Sequence, residues 1–183
     1  PIAVNAGAFN MTGGSIHDNF GSHGGAITLT SAAAVASITG GTLSGNTCHY
    51  DGGALFMASN SSATVGGTAQ LTGNVSGRNG AAIGMRSGSK LVISGSPTIT
   101  GNDCTAAETE GGTTMGAVSG FSAGNYGTVT ISGTPTITGN TYKKGNTGEQ
   151  TADLAVYSTT ALSVGDLGAA ASVGICSPVA GLL

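Results

Sequence analysis

The residues that could carry out chemistry are few and are scattered along this chain. The carboxylates are Asp18, Asp51, Asp103, Glu108, Glu110, Glu149, Asp153 and Asp166. Acid–base catalysis on a polysaccharide needs clustered carboxylates, or carboxylates that hold calcium beside a basic side chain. The sequence contains no Asp-Asp pair and no Asn-x-Asp motif. We therefore predict no catalytic residue, no cofactor and no functional metal site.

One group of residues has the types that bind a transition metal. His49, Tyr50 and Asp51 are consecutive, and His23 precedes them by about the length of the repeat described below. Two imidazoles and a carboxylate are suitable ligands for such an ion. Polar residues at an exposed corner of the chain explain the same letters, and this is the interpretation that we adopt.

A second candidate is the acidic segment that follows Asn102. It contains Asp103, Glu108 and Glu110, and Lys143 and Lys144 follow about one repeat later. Solvated ion pairs between these charges are the simplest interpretation, since such pairs are common and weak. The segment nevertheless breaks an otherwise regular spacing. We therefore predict an inserted loop over residues 103–127, with Asp103, Glu108 and Glu110 as its candidate binding residues.

The composition excludes several classes of protein. The chain has 183 residues, of which 34 are glycine and only 7% are charged, and its net charge is −3. A mean hydropathy of +0.21 argues against disorder. Five Lys and Arg residues in the whole chain do not make a patch that neutralises several phosphates, so nucleic acid is not an expected partner. No apolar run approaches the ~20 residues of a membrane span.

The three cysteines, Cys48, Cys104 and Cys176, have neither a zinc-site spacing nor an even number. At most one disulfide can form within the chain. We interpret them as small buried thiols, because cysteine packs as a small hydrophobic residue.

The elements that position these residues follow from an internal repeat. The segment ISGSPTITGN at 93–102 returns as ISGTPTITGN at 131–140. It belongs to a longer series in which an aliphatic residue precedes asparagine by three positions: IHDN, LSGN, LTGN, ITGN and ITGN, ending at Asn19, Asn46, Asn74, Asn102 and Asn140. These asparagines are 27, 28, 28 and 38 residues apart. The period is therefore about 28 residues, with ten inserted in the fourth copy.

Two further landmarks keep the same register. One is a small-residue segment ending in an aliphatic residue, at Ile27, Leu55, Ile83, Val118 and Val156. The other is a pair of apolar residues two positions apart: Phe9/Met11, Ala36/Ile38, Ala63/Val65, Leu91/Ile93 and Val129/Ile131. A spacing of two is the period of a strand with one buried face.

The repeat predicts an all-β fold, a single-stranded, right-handed parallel β-helix (β-solenoid) of five to six coils. Each repeat holds three short apolar stretches between turn residues, too short for helices. Equivalent residues then stack in columns, and chirality favours the right-handed form. Ile16, Leu43, Leu71, Ile99 and Ile137 should form one such column. We predict one domain, 1–183, with the inserted loop and a less regular C-terminal segment, 158–183.

The asparagine series has a structural explanation in this fold. At a corner of a β-helix, a side-chain amide can accept a hydrogen bond from one neighbouring coil and donate one to the other. Such a ladder satisfies polar groups that a sharp corner would leave buried without partners. We therefore predict a structural ladder of Asn19, Asn46, Asn74, Asn102 and Asn140.

The two motifs also resemble those of known bacterial surface proteins. Gly24-Gly25-Ala26-Ile27, Gly52-Gly53-Ala54-Leu55 and the five tetrapeptides that end in asparagine carry the resemblance. They are similar to the GGA(I/L/V) and FxxN motifs of chlamydial polymorphic outer-membrane proteins, with Ile or Leu in place of Phe. They resemble equally the GGTISGN-type repeats in large surface proteins of gut bacteria. The resemblance implies a parallel β-helix used for extracellular display, adhesion or assembly.

These observations predict a structural protein at the cell surface or outside the cell, an adhesin-like spacer or a filament subunit without catalysis. Its expected partners are copies of itself in end-to-end contact, neighbouring repeats of a longer chain, or host and matrix glycans. The alternative is a carbohydrate-active β-helix enzyme or a polysaccharide-binding module. The stacked Thr and Ser residues on the outer face, such as Thr98/Thr100 and Thr136/Thr138, are explained by strand propensity.

Overall fold

The protein is described by a computed structural model that covers residues 1–105, 117–120, 127–143, 149–155 and 162–176. These ranges form strands and turns and contain no helix, so none of them holds a helix that is able to cross a membrane. In chain order the strands are β1 (Ile2–Val4), β2 (Gly7–His17), β3 (Phe20–Gly21), β4 (Ile27–Leu29), β5 (Ala34–Ser44), β6 (Thr47–Cys48), β7 (Leu55–Met57), β8 (Ser62–Val65), β9 (Gln70–Thr72), β10 (Val75–Ser76), β11 (Ile83–Met85), β12 (Lys90–Ile93), β13 (Thr98–Thr100), β14 (Asp103–Cys104), β15 (Val118–Gly120), β16 (Thr128–Gly133), β17 (Thr136–Thr138), β18 (Thr141–Lys143), β19 (Glu149–Thr151), β20 (Leu154–Ala155), β21 (Leu162–Leu167), β22 (Ser172–Val173) and β23 (Ile175–Cys176).

The strands form three sheets, and the predicted parallel β-helix is confirmed. Sheet A has the order β1-β4-β7-β11-β15-β20-β23. Sheet B has the order β21-β16-β12-β8-β5-β9-β13-β17-β22, with β2 paired to β5, and sheet C has the order β19-β18-β14-β10-β6-β3. Among the described strands, the pairing of β18 with β19 is the single antiparallel one. Each coil therefore stacks on the previous one in parallel.

A complete coil contains four strands rather than three. The chain passes through β7 in sheet A, β8 and β9 in sheet B and β10 in sheet C, and β11 then begins the next coil in sheet A. The three longer strands correspond to the three predicted stretches. The fourth, Val75–Ser76, has two residues and follows the ladder asparagine directly. It is too short to show a periodicity in the sequence.

Aliphatic side chains fill the interior in the predicted columns. Ile16, Leu43, Leu71, Ile99 and Ile137 are register partners in successive coils, as are Met11, Ile38, Val65, Ile93 and Ile131. The third column is correct from Ile27 to Val118, but the partner of Val118 is Leu154. The prediction of Val156 was wrong here, because the chain reverses between β18 and β19 and enters sheet A two residues earlier. Val156 itself lies outside the described residues.

The five asparagines form a column of hydrogen bonds at the corner between sheets B and C. The side-chain Nδ2 of Asn46 donates to Oδ1 of Asn74 at 3.0 Å, and the backbone N of Asn46 donates to the same atom at 3.1 Å. The same pair of bonds joins Asn19 to Asn46, Asn74 to Asn102, and Asn102 to Asn140. Nδ2 also donates to a carbonyl of the preceding coil, as Asn74 does to Leu43 at 2.9 Å. From Asn46 to Asn140 the ladder is fully buried.

A left-handed residue precedes each ladder asparagine. Gly45, Gly73, Gly101 and Gly139 have φ between 60° and 68°, and Asp18 takes the same conformation in the first coil with φ 54°. Glycine adopts this conformation without a steric penalty, and Asp tolerates it better than most residues. The Gly-Asn pair in the motif therefore combines a corner conformation with the side chain that satisfies the corner.

The ladder ends on a carboxylate. Oδ1 of Asp153 accepts hydrogen bonds from the backbone N and from Nδ2 of Asn140, at 2.9 and 2.7 Å. The chain then crosses directly from β22 in sheet B to β23 in sheet A through Gly174 alone, whereas ten residues, 73–82, separate β9 from β11. A Cβ atom on Gly174 would lie 2.1 Å from Oδ2 of Asp153. Glycine is thus required where this crossing packs on the end of the ladder.

The segment predicted as an inserted loop, 103–127, contains two strands of the scaffold. Asp103 begins β14, which pairs with β10 and β18, and Val118 begins β15 in sheet A. The Asp103 carboxylate accepts a hydrogen bond from the hydroxyl of Thr141 at 3.0 Å. Glu108 and Glu110 lie outside the described residues, as does Lys144. The structure therefore places Asp103 in the scaffold and leaves the binding loop a prediction.

Candidate functional site

A cluster of polar and aromatic side chains lies where the chain turns from sheet C into sheet A. Parallel stacking brings His23, Asp51 and Asn79 to equivalent positions in three successive coils: Asp51 and Asn79 form a β-bridge, and the backbone N of Gly24 donates to the Asp51 carbonyl at 3.1 Å. The backbone N of Arg78 likewise donates to the carbonyl of Tyr50 at 2.8 Å. Register alone therefore places a histidine, a carboxylate and an amide above one another.

The cluster covers the outer face of sheet A. Leu55 and Met57 on β7 point into the core, so Phe56 between them points outward. Phe56 is nevertheless only 7% exposed. The His23 ring stacks on it with a centroid distance of 4.5 Å, and the guanidinium of Arg86 lies 5.5 Å from its centroid. The corner loops thus fold back over the sheet and make a small second layer outside the solenoid.

A second stack runs beside the first. The rings of His23 and Tyr50 are 5.1 Å apart, and the guanidinium of Arg78 lies 5.4 Å from the Tyr50 centroid. His49 contacts the edge of Tyr50 at 4.4 Å. A cation over an aromatic face is attracted by the ring quadrupole. Both arginines are therefore held by rings of the preceding coil as well as by charge.

Asp51 joins the two stacks. It is 1% exposed, and its carboxylate accepts hydrogen bonds from Nε and Nη2 of Arg78 at 3.1 and 2.8 Å. Nη2 of Arg86 donates to it at 3.1 Å and Nδ2 of Asn79 at 2.8 Å. A buried carboxylate is stable only when its charge and its lone pairs are satisfied. The hydrogen bonding that Arg78 donates to Asp51 is also the largest cause of the raised pKa of Arg78. We call Asp51, Asn79, His23, Tyr50, Phe56, Arg78 and Arg86 together the Asp51 cluster.

His23 is uncharged at neutral pH in this setting. Burial lowers its pKa, and the nearby charges of Arg86 and Arg78 lower it further, against the opposing effect of Asp51. Its Nδ1 lies 3.5 Å from Oδ2 of Asp51, which is too long for a good hydrogen bond. The same atom is buried and has no hydrogen-bond partner among the residues that the structure describes. His23 therefore serves the cluster by stacking.

The transition-metal interpretation of this group finds no support in the geometry. In the described part of the chain, no three His, Cys, Asp or Glu side chains approach one another as metal ligands do. Asp51 already accepts four hydrogen bonds, three of them from guanidinium groups. Two positive side chains at the carboxylate would also repel a cation.

The sequence prediction brought together only part of the cluster. It placed His23, His49, Tyr50 and Asp51 in neighbouring coils, and the structure shows that contact. It missed Arg78 and Asn79, although each follows its partner in the cluster, Tyr50 or Asp51, by 28 residues. That spacing was the available signal. Phe56 and Arg86 come from sheet A and reach the cluster across its outer face.

Three carboxylates away from the cluster have partners within the scaffold. Asp18 pairs with His17 at 2.8 Å on the surface, and Asp103 and Asp153 have the partners given above. Asp166 is exposed on β21. The side chains of Glu108, Glu110 and Glu149 lie outside the described residues.

Cys48 and Cys104 lie in one column of sheet C, with a serine between them, and Cys176 lies on β23 in sheet A. Ser76 is the register partner of both Cys48 and Cys104. Two coil intervals, about 9.6 Å, separate the two cysteines, which is beyond the reach of a disulfide. Within the described ranges no disulfide is formed, and burial raises the pKa of Cys48 to about 12 and that of Cys176 to about 11. Cys48 and Cys104 are buried and Cys176 is half-buried, and the raised pKa of Cys48 and Cys176 makes these two thiols poor nucleophiles.

No protein-family profile, no curated protein and no solved structure matches this chain.

Proposed function

We propose that the protein is a structural β-solenoid of the cell surface or the extracellular space, a rigid adhesin-like spacer without catalytic activity. The observation that carries the proposal is the asparagine ladder, which runs through five coils and ends on Asp153. From Asn46 onward, each asparagine accepts hydrogen bonds from the asparagine before it and donates one to a carbonyl of the preceding coil. Bending or local opening of the stack would break these bonds. A repeat whose buried polar residues join each coil to the next suits a continuous structural element better than a single reactive site.

The dimensions and surface suit a spacer. The seven strands of sheet A enclose six intervals of about 4.8 Å, which gives a stack of about 29 Å. The outward residues of sheet B include Thr98, Thr100, Thr136 and Thr138, which are half-buried and uncharged. In the ranges that the structure describes, neighbouring coils pair their backbone amides, and backbone held in this way is a poor substrate for a protease. The resemblance of the repeat motifs to bacterial surface proteins supports the extracellular location.

The partners that fit this role are further coils, from copies of the chain or from neighbouring repeats of a longer one. The first coil exposes strand edges at β1, β2 and β3 with Phe20 67% exposed, and the last described coil exposes Val164 at 55%. Unpaired edges with apolar side chains favour the addition of another coil. Contact between these two unlike ends is heterologous and would extend the rod.

A polysaccharide-binding module is the second candidate, and one observation favours it. The Asp51 cluster places half-exposed aromatic and basic side chains together on the outer surface, which a spacer does not require. The enzyme alternative needs two carboxylates facing one substrate bond. Asp51 is committed to Arg78 and Arg86, and Asp153 to Asn140.

Two measurements test the structural role. Antibodies against the chain should label intact cells of the source organism, with a cytoplasmic protein as the negative control. Labelling only after lysis would contradict the location. The purified chain should also resist a broad-specificity protease at a ratio that degrades an unfolded control within minutes. Rapid cleavage inside residues 27–105, or release of reducing sugar from a panel of polysaccharides, would contradict the role of an inert spacer.

A further inference from the structure

A titratable ring is enclosed in the Asp51 cluster without a hydrogen bond at its buried nitrogen. The His23 ring stacks on Phe56 and on Tyr50, with centroid distances of 4.5 and 5.1 Å. Its Nδ1 is buried and has no hydrogen-bond partner among the described residues. A buried polar atom without a partner is uncommon in folded proteins and calls for an explanation. The stacking contacts therefore hold the ring, and they suit its neutral form.

The protonated form of His23 would find its acceptor already occupied. Both nitrogens of a protonated imidazole carry a proton, so Nδ1 becomes a donor. The carboxylate that faces it is that of Asp51, with Oδ2 at 3.5 Å. That carboxylate already accepts four hydrogen bonds from Arg78, Arg86 and Asn79, which uses all of its roughly four lone-pair sites. Protonation therefore displaces one of these donors or moves the ring towards water.

The surroundings of the ring disfavour its charged form. The charged and titratable side chains around the ring and the carboxylate that faces it are Asp51, Arg78, Arg86, Tyr50, His49 and Cys48. Burial is the largest cause of the lowered pKa of His23, and the charges of Arg86 and Arg78 add to it. Asp51 has the opposite effect. The closed arrangement therefore favours neutral His23 and is weakened when a proton binds.

Two backbone hydrogen bonds flank His23 and hold its corner to the next coil. The backbone N of Tyr50 donates to the carbonyl of Ser22 at 2.9 Å, and the backbone N of Gly24 donates to the carbonyl of Asp51 at 3.1 Å. Neither of these bonds belongs to a strand of the three sheets. Backbone hydrogen bonds outside regular strands open at a lower free energy than those in the core of a sheet. The corner is therefore the part of the cluster that can separate locally.

We propose that His23 is a pH-sensitive latch on the outer face of sheet A. Its protonation detaches residues 22–24 from Tyr50 and Asp51 and uncovers Phe56, while the solenoid stays folded. Phe56 points outward and is buried beneath the cluster, so departure of the His23 ring exposes an aromatic surface. The latch goes beyond the spacer role and does not depend on it, because it acts at the corner between sheets C and A and leaves the ladder at the other end of sheet C in place.

Acid opens the latch. The open form has the ordinary histidine pKa of about 6.5, and in the closed form the pKa of His23 is lower. The open form therefore binds the proton first, so the closed form is fully favoured above about pH 6.5 and loses stability as the pH falls below it. At pH 5.5 the open form is protonated about ten to one, so its population can rise by up to about tenfold relative to pH 7.5.

Amide hydrogen exchange followed by NMR tests the latch in the unaltered chain, with protection factors corrected for the intrinsic effect of pH. We expect protection of the Tyr50 and Gly24 amides to fall by about threefold to tenfold between pH 7.5 and pH 5.5. At pH 5.5 they should also exchange at least about tenfold faster than the ladder amides of Asn46 and Asn74. Equal corrected rates at the corner and in the ladder would mean that the corner opens only by global unfolding, and would overturn the proposal. Unchanged protection of the corner would overturn it too.

Matched variants identify the titrating group. His23→Phe keeps a ring for stacking but binds no proton, so the change between the two pH values should shrink to less than about 1.5-fold. His49→Gln removes the neighbouring imidazole at the edge of Tyr50 and should leave the change intact. A change that survives in His23→Phe, or that disappears in His49→Gln alone, would assign the effect to another group and refute the latch.

If His23→Phe does not fold, a titration of the unaltered chain replaces it. The imidazole signals of His23, followed by NMR across neutral and mildly acidic pH, should give a pKa below the ordinary value of about 6.5. A pKa at or above that value would mean that the closed form accepts the proton without cost, and would overturn the proposal. These outcomes are separate from the tests of the spacer role, which depend on location and protease resistance.

Discussion

The Asn ladder and the Asp51 cluster both arise from stacking of side chains in successive coils, but they use the sequence differently. In the ladder one residue type recurs, and each asparagine binds the next through the same two hydrogen bonds. In the cluster each coil contributes different residues: His23, then Tyr50 and Asp51, then Phe56, Arg78 and Asn79, and then Arg86. A ladder can be extended by adding coils of the same residue, whereas the named residues of the cluster come from four coils and differ in each.

This difference indicates that the ladder is scaffold, and that the cluster is the part that is able to have a specific function. Identical residues in a column repeat the same hydrogen bonds from coil to coil, because donors and acceptors match at every step. Unlike residues give one arrangement at one place, with a defined charge and shape. The predictions below measure how far the two kinds of stack differ, beginning with the largest expected effect.

Asn74→Ala should cause the largest loss of stability, because it interrupts the middle of the ladder. The backbone N and Nδ2 of Asn46 lose their acceptor, and the carbonyl of Leu43 loses a donor. Each unsatisfied buried group costs about 1–3 kcal/mol, so we expect a loss of about 3–5 kcal/mol. Urea unfolding followed by circular dichroism measures it. Asn10→Ala, at an exposed asparagine, is the control and should change little; equal stability of the two variants would show that the ladder is not a stabilising element.

Asp153→Ala should have a smaller effect at the end of the same ladder. It removes one acceptor from the backbone N and Nδ2 of Asn140, and water can reach this end more easily than the middle. We expect a loss of about 2 kcal/mol. Asp153→Asn retains a side-chain oxygen and should lose less than half of that. If the amide variant were as unstable as the alanine variant, the carboxylate would act through its charge and not as the last acceptor of the ladder.

The ladder was predictable from sequence for the same reason that it is strong. Asn19, Asn46, Asn74 and Asn102 recur at almost constant intervals, and identical letters at a constant interval identify both the period and the column. The aliphatic columns follow from the same period. Two-residue strands such as Val75–Ser76 were not predictable, because a single pair of residues has no periodicity.

The cluster and the C-terminal crossing were only partly predictable. Arg78 follows Tyr50 by 28 residues and could have been assigned to the same column. Arg86 belongs to another column, and its contact with Asp51 depends on a corner loop folding over sheet A. The crossing at Gly174 depends on the reversal between β18 and β19, after which the next position in sheet C is already occupied. A repeat pattern predicts that each coil copies the one before it. It carries no information about a loop that folds over a sheet or a chain that reverses direction.

Asp51→Asn should destabilise the protein less than either ladder variant that removes a side chain. The amide cannot neutralise Arg78 and Arg86, and its NH₂ group would face their donors. Both arginines are partly exposed, however, so water recovers part of the loss. We expect a loss of about 1–2 kcal/mol in urea unfolding. A loss as large as that of Asn74→Ala would make the cluster part of the scaffold and remove the distinction between the two stacks.

The smallest expected effect is a pH dependence that belongs to the cluster and not to the ladder. Burial, Arg86 and Arg78 lower the folded-state pKa of His23, against Asp51. A lowered histidine pKa means that the unfolded chain binds the proton first, so stability is complete above about pH 6.5 and declines as the pH falls below it. Unfolding at pH 7.5 and pH 5.5 should show this decline in the unaltered chain. His23→Phe retains a ring for stacking and should abolish it, whereas His17→Gln, at an exposed histidine, should preserve it. A decline of equal size in His23→Phe would place the titrating group outside the cluster.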